Sequence, residues 1–340
     1  MTASPWRRVW QRFRRHRRGY LSLWIFSILF ALSLFAGLLA NNRPLLIHYD
    51  GQWFFPLWNN YTEIQFGGDF YTDADYTDPY VIDKIRARGW LIRAPIPFSY
   101  DTIDYYNAAP NPAPPNARHW LGTDDRGRDV AARLLYGFRL SVLFGLALTA
   151  IGLVIGIFMG ALQGFFGGRV DLITQRLIEI WGSMPELYLL IIFASIFEPS
   201  IGLLLILLSL FGWIGLSDYV RAEFLKSRQL DYVRAARAMG VSHARIMWRH
   251  LLPNALTPVV TFLPFRVSGA ILALTSLDFL GLGVPPSTPS LGELLAQGKN
   301  NLDAWWLSLS TFTVLVGTLL LLIFIGEALR DALDARKSLS

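Results

Sequence analysis

The apolar residues of this chain gather into six runs: 21–40, 140–164, 180–197, 201–217, 256–277 and 305–326. A helix needs about 20 mostly apolar residues to cross the hydrocarbon core. The runs at 21–40, 140–164 and 305–326 are long and free of charge. The run at 180–197 is broken by Pro185 and Glu186, that at 201–217 is short, and that at 256–277 holds two prolines and Arg266. A cleaved leader would have an apolar core of only about 7–15 residues, so the first run reads as a retained span. The pattern predicts an all-α polytopic membrane protein with six transmembrane helices and both termini on one side.

Two polar stretches interrupt the runs. Residues 41–137 are rich in Asp and aromatic residues and pass through the proline-rich "APNPAPPNARHW". They read as a water-exposed insert, small and irregular with a helix or strands, the proline tract acting as an extended tether. Residues 218–255 lie between the fourth and fifth runs. They have helical composition up to Met239, with Gly240 placed to end a helix in the left-handed conformation. Ser242 can cap a second short helix, and Pro253 is expected to stop it near Leu252. The prediction is helix, sharp turn, helix, with Ala235, Ala236 and Ala238 allowing another surface close approach; an ordinary interfacial loop is the alternative.

Charge orients the chain. Residues 5–20 carry seven arginines around Trp6, Val9, Trp10 and Phe13, which reads either as an amphipathic helix in the inner-leaflet headgroups or as a plain basic flank. Both readings hold the N-terminus in the cytoplasm. The insert is then outside, and 218–255, with Arg221, Lys226, Arg228, Arg234, Arg237, Arg245 and Arg249, is inside. The organisation expected is a basic segment at 1–20, a first span at 21–40, a periplasmic insert at 41–137, a five-helix core at 138–330 containing the loop 218–255, and a cytoplasmic tail at 331–340. Arg118, Arg126, Arg128, Arg133 and Arg139 fall outside, on a long translocated loop that the positive-inside rule largely exempts.

Composition agrees: 53% of the 340 residues are hydrophobic, 16% are charged and mean hydropathy is +0.37, against about 25% charged in soluble domains. The net charge of +6 is explained by topology, so no nucleic-acid partner is expected. The absence of cysteine excludes disulfides, thiolate metal sites and cysteine nucleophiles.

"AARAMG", nine residues, then "HLLP" resembles the EAA signature of ABC-importer permeases, at Ala235, Ala236, Gly240, Leu252 and Pro253. Arg234 stands where the signature has Glu. "HWLGTDDRGRDVAARLLYGFRLSV" is similar to the stretch that precedes the second helix of oligopeptide and dipeptide permeases, with Gly122, Thr123, Asp124, Gly127, Arg128 and Asp129 matching. Thr123 or Asp124 is expected to cap the helix that follows. "GFFGGRVD", "LDFLGLGVPPSTPSLGELL" and "GEALRDALDAR" extend the likeness over nearly the whole chain, Ala335 replacing a frequent proline. The stretches "ANNRPLLIHYDGQWFFP" and "PSLGELLAQGKNNLDAWWLS" look like peptide-importer permeases of Gram-negative inner membranes.

The resemblance implies the type I ABC-importer permease fold and a bacterial inner-membrane location. It implies a second permease as heterodimer partner, two ATPase subunits, separate or fused, and a periplasmic peptide-binding protein, all in membrane lipid. It makes Arg234, Ala235, Ala236, Gly240, Val241, Ser242, Leu252 and Pro253 the ATPase-coupling element. It implies no enzyme activity, catalytic residue, metal or cofactor in this chain, with ATP and Mg used by the partner ATPases.

Other patterns point less sharply. "GELLAQGKN" (292–300) has five residues between its glycines and Asn after Lys299, unlike a phosphate loop. "DADYTD" (73–78) lacks the turn glycine and terminal Glu of a calcium loop. His243 and His250 read as surface or docking residues. A secondary transporter would call for an internal repeat or paired intramembrane charges, and neither is evident. Arg266, about ten residues into the fifth run, either lines a substrate path or is a structural cation that pairs with an acid such as Glu186 or snorkels.

Overall fold

The computed structural model describes residues 5–107 and 109–333. In chain order, α1 (Pro5–Arg15), α2 (Arg17–Leu34) and α3 (Ala36–Leu39) precede a small mixed segment of β1 (Leu46–Tyr49), β2 (Gln52–Phe54), α4 (Pro79–Arg88) and β3 (Gly89–Ile92). Then come α5 (Val130–Phe166), α6 (Gly168–Gly182), α7 (Glu186–Ile196), α8 (Ile201–Gly212), α9 (Ile214–Ser227) and α10 (Asp231–Ala238). The chain ends with α11 (His243–Arg245), α12 (Leu252–Phe279), α13 (Leu291–Asn300) and α14 (Trp305–Leu333). The tail position Ala335 lies outside the described residues, as does the side chain of Trp6.

Among the described residues, four continuous helices are long and apolar enough to cross a membrane: Val130–Phe166, Ile201–Ser227, His243–Phe279 and Trp305–Leu333. α6 and α7 meet the same test only as a pair, a broken span or a re-entrant loop bent by 62° where Pro185 interrupts the helix. The six-span expectation is therefore matched by four spans among the described residues, or by five where the bent pair counts as one span. The first run is helical, but it divides at Phe35 into α2 and α3, and its arginine-led start lowers its apolarity.

The chain forms two compact units. One comprises residues 142–274 with the parts of both chain ends up to Phe26 and from Thr318. Here α1 is an amphipathic helix, the first of the two readings of residues 5–20, yet Phe13 is buried and joins Val9 on Ile325, Ala328 and Ala332 of α14. Part of its apolar face thus covers protein rather than lipid, while Trp10 stays exposed. The centre of this unit is the packing of α5 on α8 and α9. Gly152, Gly156, Gly160 and Gly164 recur every fourth residue along one side of α5. A Cβ built on Gly156 would meet Trp213 O at 3.0 Å, and one on Gly160 would meet Val220 Cβ at 2.8 Å. Small residues at this spacing let helix backbones meet closely, and the side chains of Leu216, Val220 and Phe224 fill the flanks with Ala161 and Phe165.

Two expectations for residues 218–255 are corrected. Residues 218–239 are not one helix: α9 runs on to Ser227, then Leu230 turns extended before α10 restarts. Pro253 is not a stop. From Ile246 to Leu251 the helix winds wider, and the Leu252 N–H donates to Met247 O, five residues back. A proline clashes with the carbonyl four residues before it and lacks the N–H to bond there. The widened turn removes both problems, so α11 continues into α12 without a break.

The other unit comprises residues 27–141 and 275–317. The insert has a core of its own. Its antiparallel sheet runs β2-β1-β3, and alternation turns Ile47 and Tyr49 onto Phe66, Tyr76, Val81, Ile82 and Ile85. Asp78 caps α4 by accepting the Tyr80 N–H at 2.8 Å, with Pro79 at the first helical position. On the opposite sheet face, Trp53 and Trp90 flank His48 and are exposed. The proline tract is not a tether. Ala113 is buried, its N–H donating to Thr123 Oγ1 at 2.8 Å and its carbonyl accepting from Thr123 N–H at 2.9 Å.

Candidate functional site: the Gly240 turn, the acidic-basic lock and the α12 cavity

Gly240 has φ +74°, a conformation that costs L side chains about 1–2 kcal/mol. Its N–H donates to Arg237 O at 3.0 Å and the Val241 N–H donates to Ala236 O at 3.1 Å. These two bonds form the Schellman closure of a helix. Val241 packs against the cluster that buries Val233, Ala236, Ile246 and Leu251. Ser242 stands in the N-cap position, but its hydroxyl makes no capping bond; only its carbonyl accepts, from the Ile246 N–H at 3.0 Å. The outward side carries Arg234, Ala235, Ala238 and Met239, all exposed. Of the remaining coupling candidates, Ala236 faces inward, Leu252 is half-buried and Pro253 is exposed.

The turn is braced from below. The Arg237 guanidinium lies 5.1 Å from the Phe165 ring centre, and the His243 ring packs on Phe165 and Phe166. Tyr232 Oη accepts from Asn254 Nδ2 at 3.4 Å. Arg221 on α9 grips Asp171 on α6 through two bonds, 2.5 and 2.8 Å long. Fifty residues separate the pair, and the sequence marks it only through Asp171 inside the motif "GFFGGRVD" and Arg221 among the basic residues of 218–255.

The motif residues before α5 form a buried ionic lock. Asp124 accepts the Arg126 and Arg128 backbone N–H groups at 3.0 and 2.9 Å, and Arg128 Nε at 2.7 Å. Arg128 and the fully buried Arg133 both reach Glu293 on α13. Gly122 and Gly127 supply the positive-φ corners. The helix cap is neither Thr123 nor Asp124: Asp129 accepts the Ala132 N–H at 2.8 Å. Thr123 is engaged with Ala113 and Asn111, and Asp124 with arginine. Asp129 also bonds His119 Nδ1 at 2.8 Å, while His119 Nε2 meets Asp104 at 3.0 Å. Burial alone would lower the His119 pKa, but hydrogen bonds to the two carboxylates outweigh it and hold the pKa above the usual histidine value. Burial likewise pushes Asp104 up, and the His119 and Tyr106 hydrogen bonds with the nearby Arg118 charge bring it below its usual value. These side chains hold the loop in shape.

The carboxylates of residues 73–78 have structural work. Asp73 accepts from Asn60, Asp75 from Thr77, and Asp78 caps α4.

Arg266 does not pair with Glu186. It donates to the carbonyl of Gly212, where α8 gives way to α9. Both charged residues instead line one cavity of about 430 Å³, together with Phe211, Tyr219, Phe262 and Phe265.

Residues 152–339 match the family model described as "Binding-protein-dependent transport system inner membrane component". Residues 4–57 match the N-terminal TM domain of oligopeptide transport permease C. The chain is 54% identical to the inner membrane ABC transporter permease protein YejE of Escherichia coli (strain K12), over 97% of this chain and 96% of the relative. It is 49% identical to the peptidoglycan transport system permease protein YejE of Agrobacterium fabrum, covering 98% of this chain and 95% of the relative. It is 35% identical to the oligopeptide transport system permease protein OppC of Haemophilus influenzae, covering 76% and 81%. A chain of the inward-facing MetNI methionine ABC transporter shares the fold, with TM-score 0.50 and 18% identity over 59% of this chain and 96% of that one.

Proposed function

Because this chain belongs to the family of binding-protein-dependent transport system inner membrane components, we propose that it is the permease subunit of an ATP-driven importer of peptides or peptide-like compounds. Relatives named for oligopeptide and peptidoglycan transport support that substrate class. The chain sits in the bacterial inner membrane with both termini in the cytoplasm. It pairs with a second permease and takes substrate from a periplasmic binding protein. ATP and Mg are bound by two partner ATPase subunits, separate or fused, and this chain makes and breaks no bond.

The observation that carries the reading is the Gly240 turn. It presents exposed Arg234, Ala235, Ala238 and Met239 outward while Val233 and Ala236 are anchored in the core beneath. A partner pressing on this turn moves α10 and α12 as well, because the same cluster holds Ile246, Leu251 and Val259. ATP-driven closure of the partners then biases two arrangements of the bundle, inward-open and outward-open. Replacing Gly240→Val forces a β-branched residue into φ +74° at a cost of about 1–2 kcal/mol or more. The variant is expected to reach the membrane with its partners yet hydrolyse ATP without uptake. Parental uptake by a well-expressed Gly240→Val importer would show that this turn does not transmit the stroke.

A further inference from the structure

Apart from Thr149, the cavity that Arg266 and Glu186 share is lined by apolar and aromatic residues, with Tyr219 and Phe262 stacked at 4.7 Å between ring centres. Its volume of about 430 Å³ lies within the range of small-molecule sites, about 300–1,000 Å³. Arg266 has five N–H donors to place, and its one bond among the described residues is to Gly212 O. Glu186 opens α7, where the helix dipole favours a carboxylate, and it makes no hydrogen bond or ion pair among the described residues. Charges in a membrane-spanning bundle are costly unless water or an opposite charge meets them.

An anion entering alone would meet Arg266 but be opposed by Glu186; a cation alone would meet the reverse. A ligand with separated positive and negative ends satisfies both at once. Resting on the importer reading above, we propose that this cavity is a two-point site for a peptide zwitterion. Arg266 receives the terminal carboxylate, Glu186 the terminal ammonium, and the aromatic wall the body between them. The carboxylate is matched by the planar fork of the guanidinium.

The test uses the complete importer, with its second permease, ATPases and binding protein, reconstituted in proteoliposomes. Uptake of trialanine is compared with that of its C-terminal amide and its N-acetyl derivative. One binding protein serves throughout, so its own preferences cancel between variants. Arg266→Met is expected to shrink the preference for the free over the amidated peptide by roughly 10- to 100-fold, the worth of a charge-assisted bond. The preference over the acetylated peptide should stay as in the parent. Glu186→Gln is expected to do the converse, and Arg266→Lys to keep most of the parental pattern. Parental ratios in both neutral variants, or ratios that shift alike in each, overturn the two-point site while leaving the importer reading intact. Loss of assembly in Arg266→Met combined with parental ratios in Glu186→Gln overturns it as well. Failure of the parent to import any of the three peptides overturns the importer reading, and this site with it.

Discussion

Replacing His119→Gln tests whether the buried imidazole holds the loop that leads into α5. His119 and Asp104 are fully buried and Asp129 nearly so. Each His119 bond to a carboxylate is charge-assisted and worth about 1.5–3 kcal/mol, and breaking a buried ion pair costs about 3–5 kcal/mol. The lower end applies here, because neither carboxylate is left bare. Asp129 keeps the Ala132 N–H at 2.8 Å, and Asp104 keeps the Tyr106 N–H at 3.0 Å and Arg118 Nε at 3.4 Å. Glutamine can restore one neutral bond at most. The expected loss is about 3 kcal/mol, which raises the open population of the loop roughly 100-fold. Amide hydrogen exchange over residues 100–135 of the detergent-solubilised protein reads that population. The pH dependence gives a second signature. His119 has a raised folded pKa, so its stabilisation is full below the unfolded value of about 6.5 and is lost as pH rises through the folded value. Asp104 has a lowered folded pKa, so its share is full above about 3.9 and lost as pH falls through the folded value. Protection in the parent should therefore be greatest between those limits, and the alkaline decline should vanish in the Gln variant. Unchanged exchange, or an alkaline decline that persists without His119, would refute the assignment.

Two further outcomes follow from packing and charge. Glu293→Gln leaves the buried guanidinium groups of Arg128 and Arg133 with Asp124 as their one carboxylate among the described residues; the loss should be about 3–5 kcal/mol, seen as a lowered midpoint in fluorescence-detected thermal unfolding, and an unchanged midpoint would mean the network is not a lock. Gly160→Leu drives a side chain into the backbone of α9, with an expected cost of about 1–3 kcal/mol or more in the same assay, whereas Gly317→Ala, with open space around it, should be neutral; equal effects would deny the close approach.

The helices were legible because long apolar runs have few other solutions, and the Gly240 turn because helix-ending glycine has a local chemical cause. The errors came where a distant or unusual partner decided the geometry. Pro253 reads as a stop until the widened turn at Ile246–Leu251 is known, and that turn has no compositional mark. Thr123, Asp124 and Asp129 are all capable caps; Asp129 serves because Thr123 is taken up by Ala113 and Asp124 by Arg128. Arg266 had an acid as its natural candidate partner, yet met a carbonyl freed at a helix junction. The strands of the insert are three or four residues long, too short for alternation to stand out among so many aromatics. The glycines at 152, 156, 160 and 164 have a period of four that carries a packing meaning, but a stripe of small residues does not stand out inside a continuous apolar run.

That glycine stripe bears on where the transport stroke can bend. Two helices meshed by side chains can slip by a rotamer change, but a backbone seated on a backbone has no such intermediate register. From Gly152 to Gly164 the contact extends about 18 Å along the axis, so α5, α8 and α9 must travel as one lever arm. Arg221 pins the start of α6 to that arm through Asp171. The compliance left is then in the joint at residues 228–230 and in the 62° elbow before α7. A crosslink across residues 228–230 or a Pro185→Ala change at the elbow should alter the timing of the cycle, while changes along the arm alter only whether it holds together.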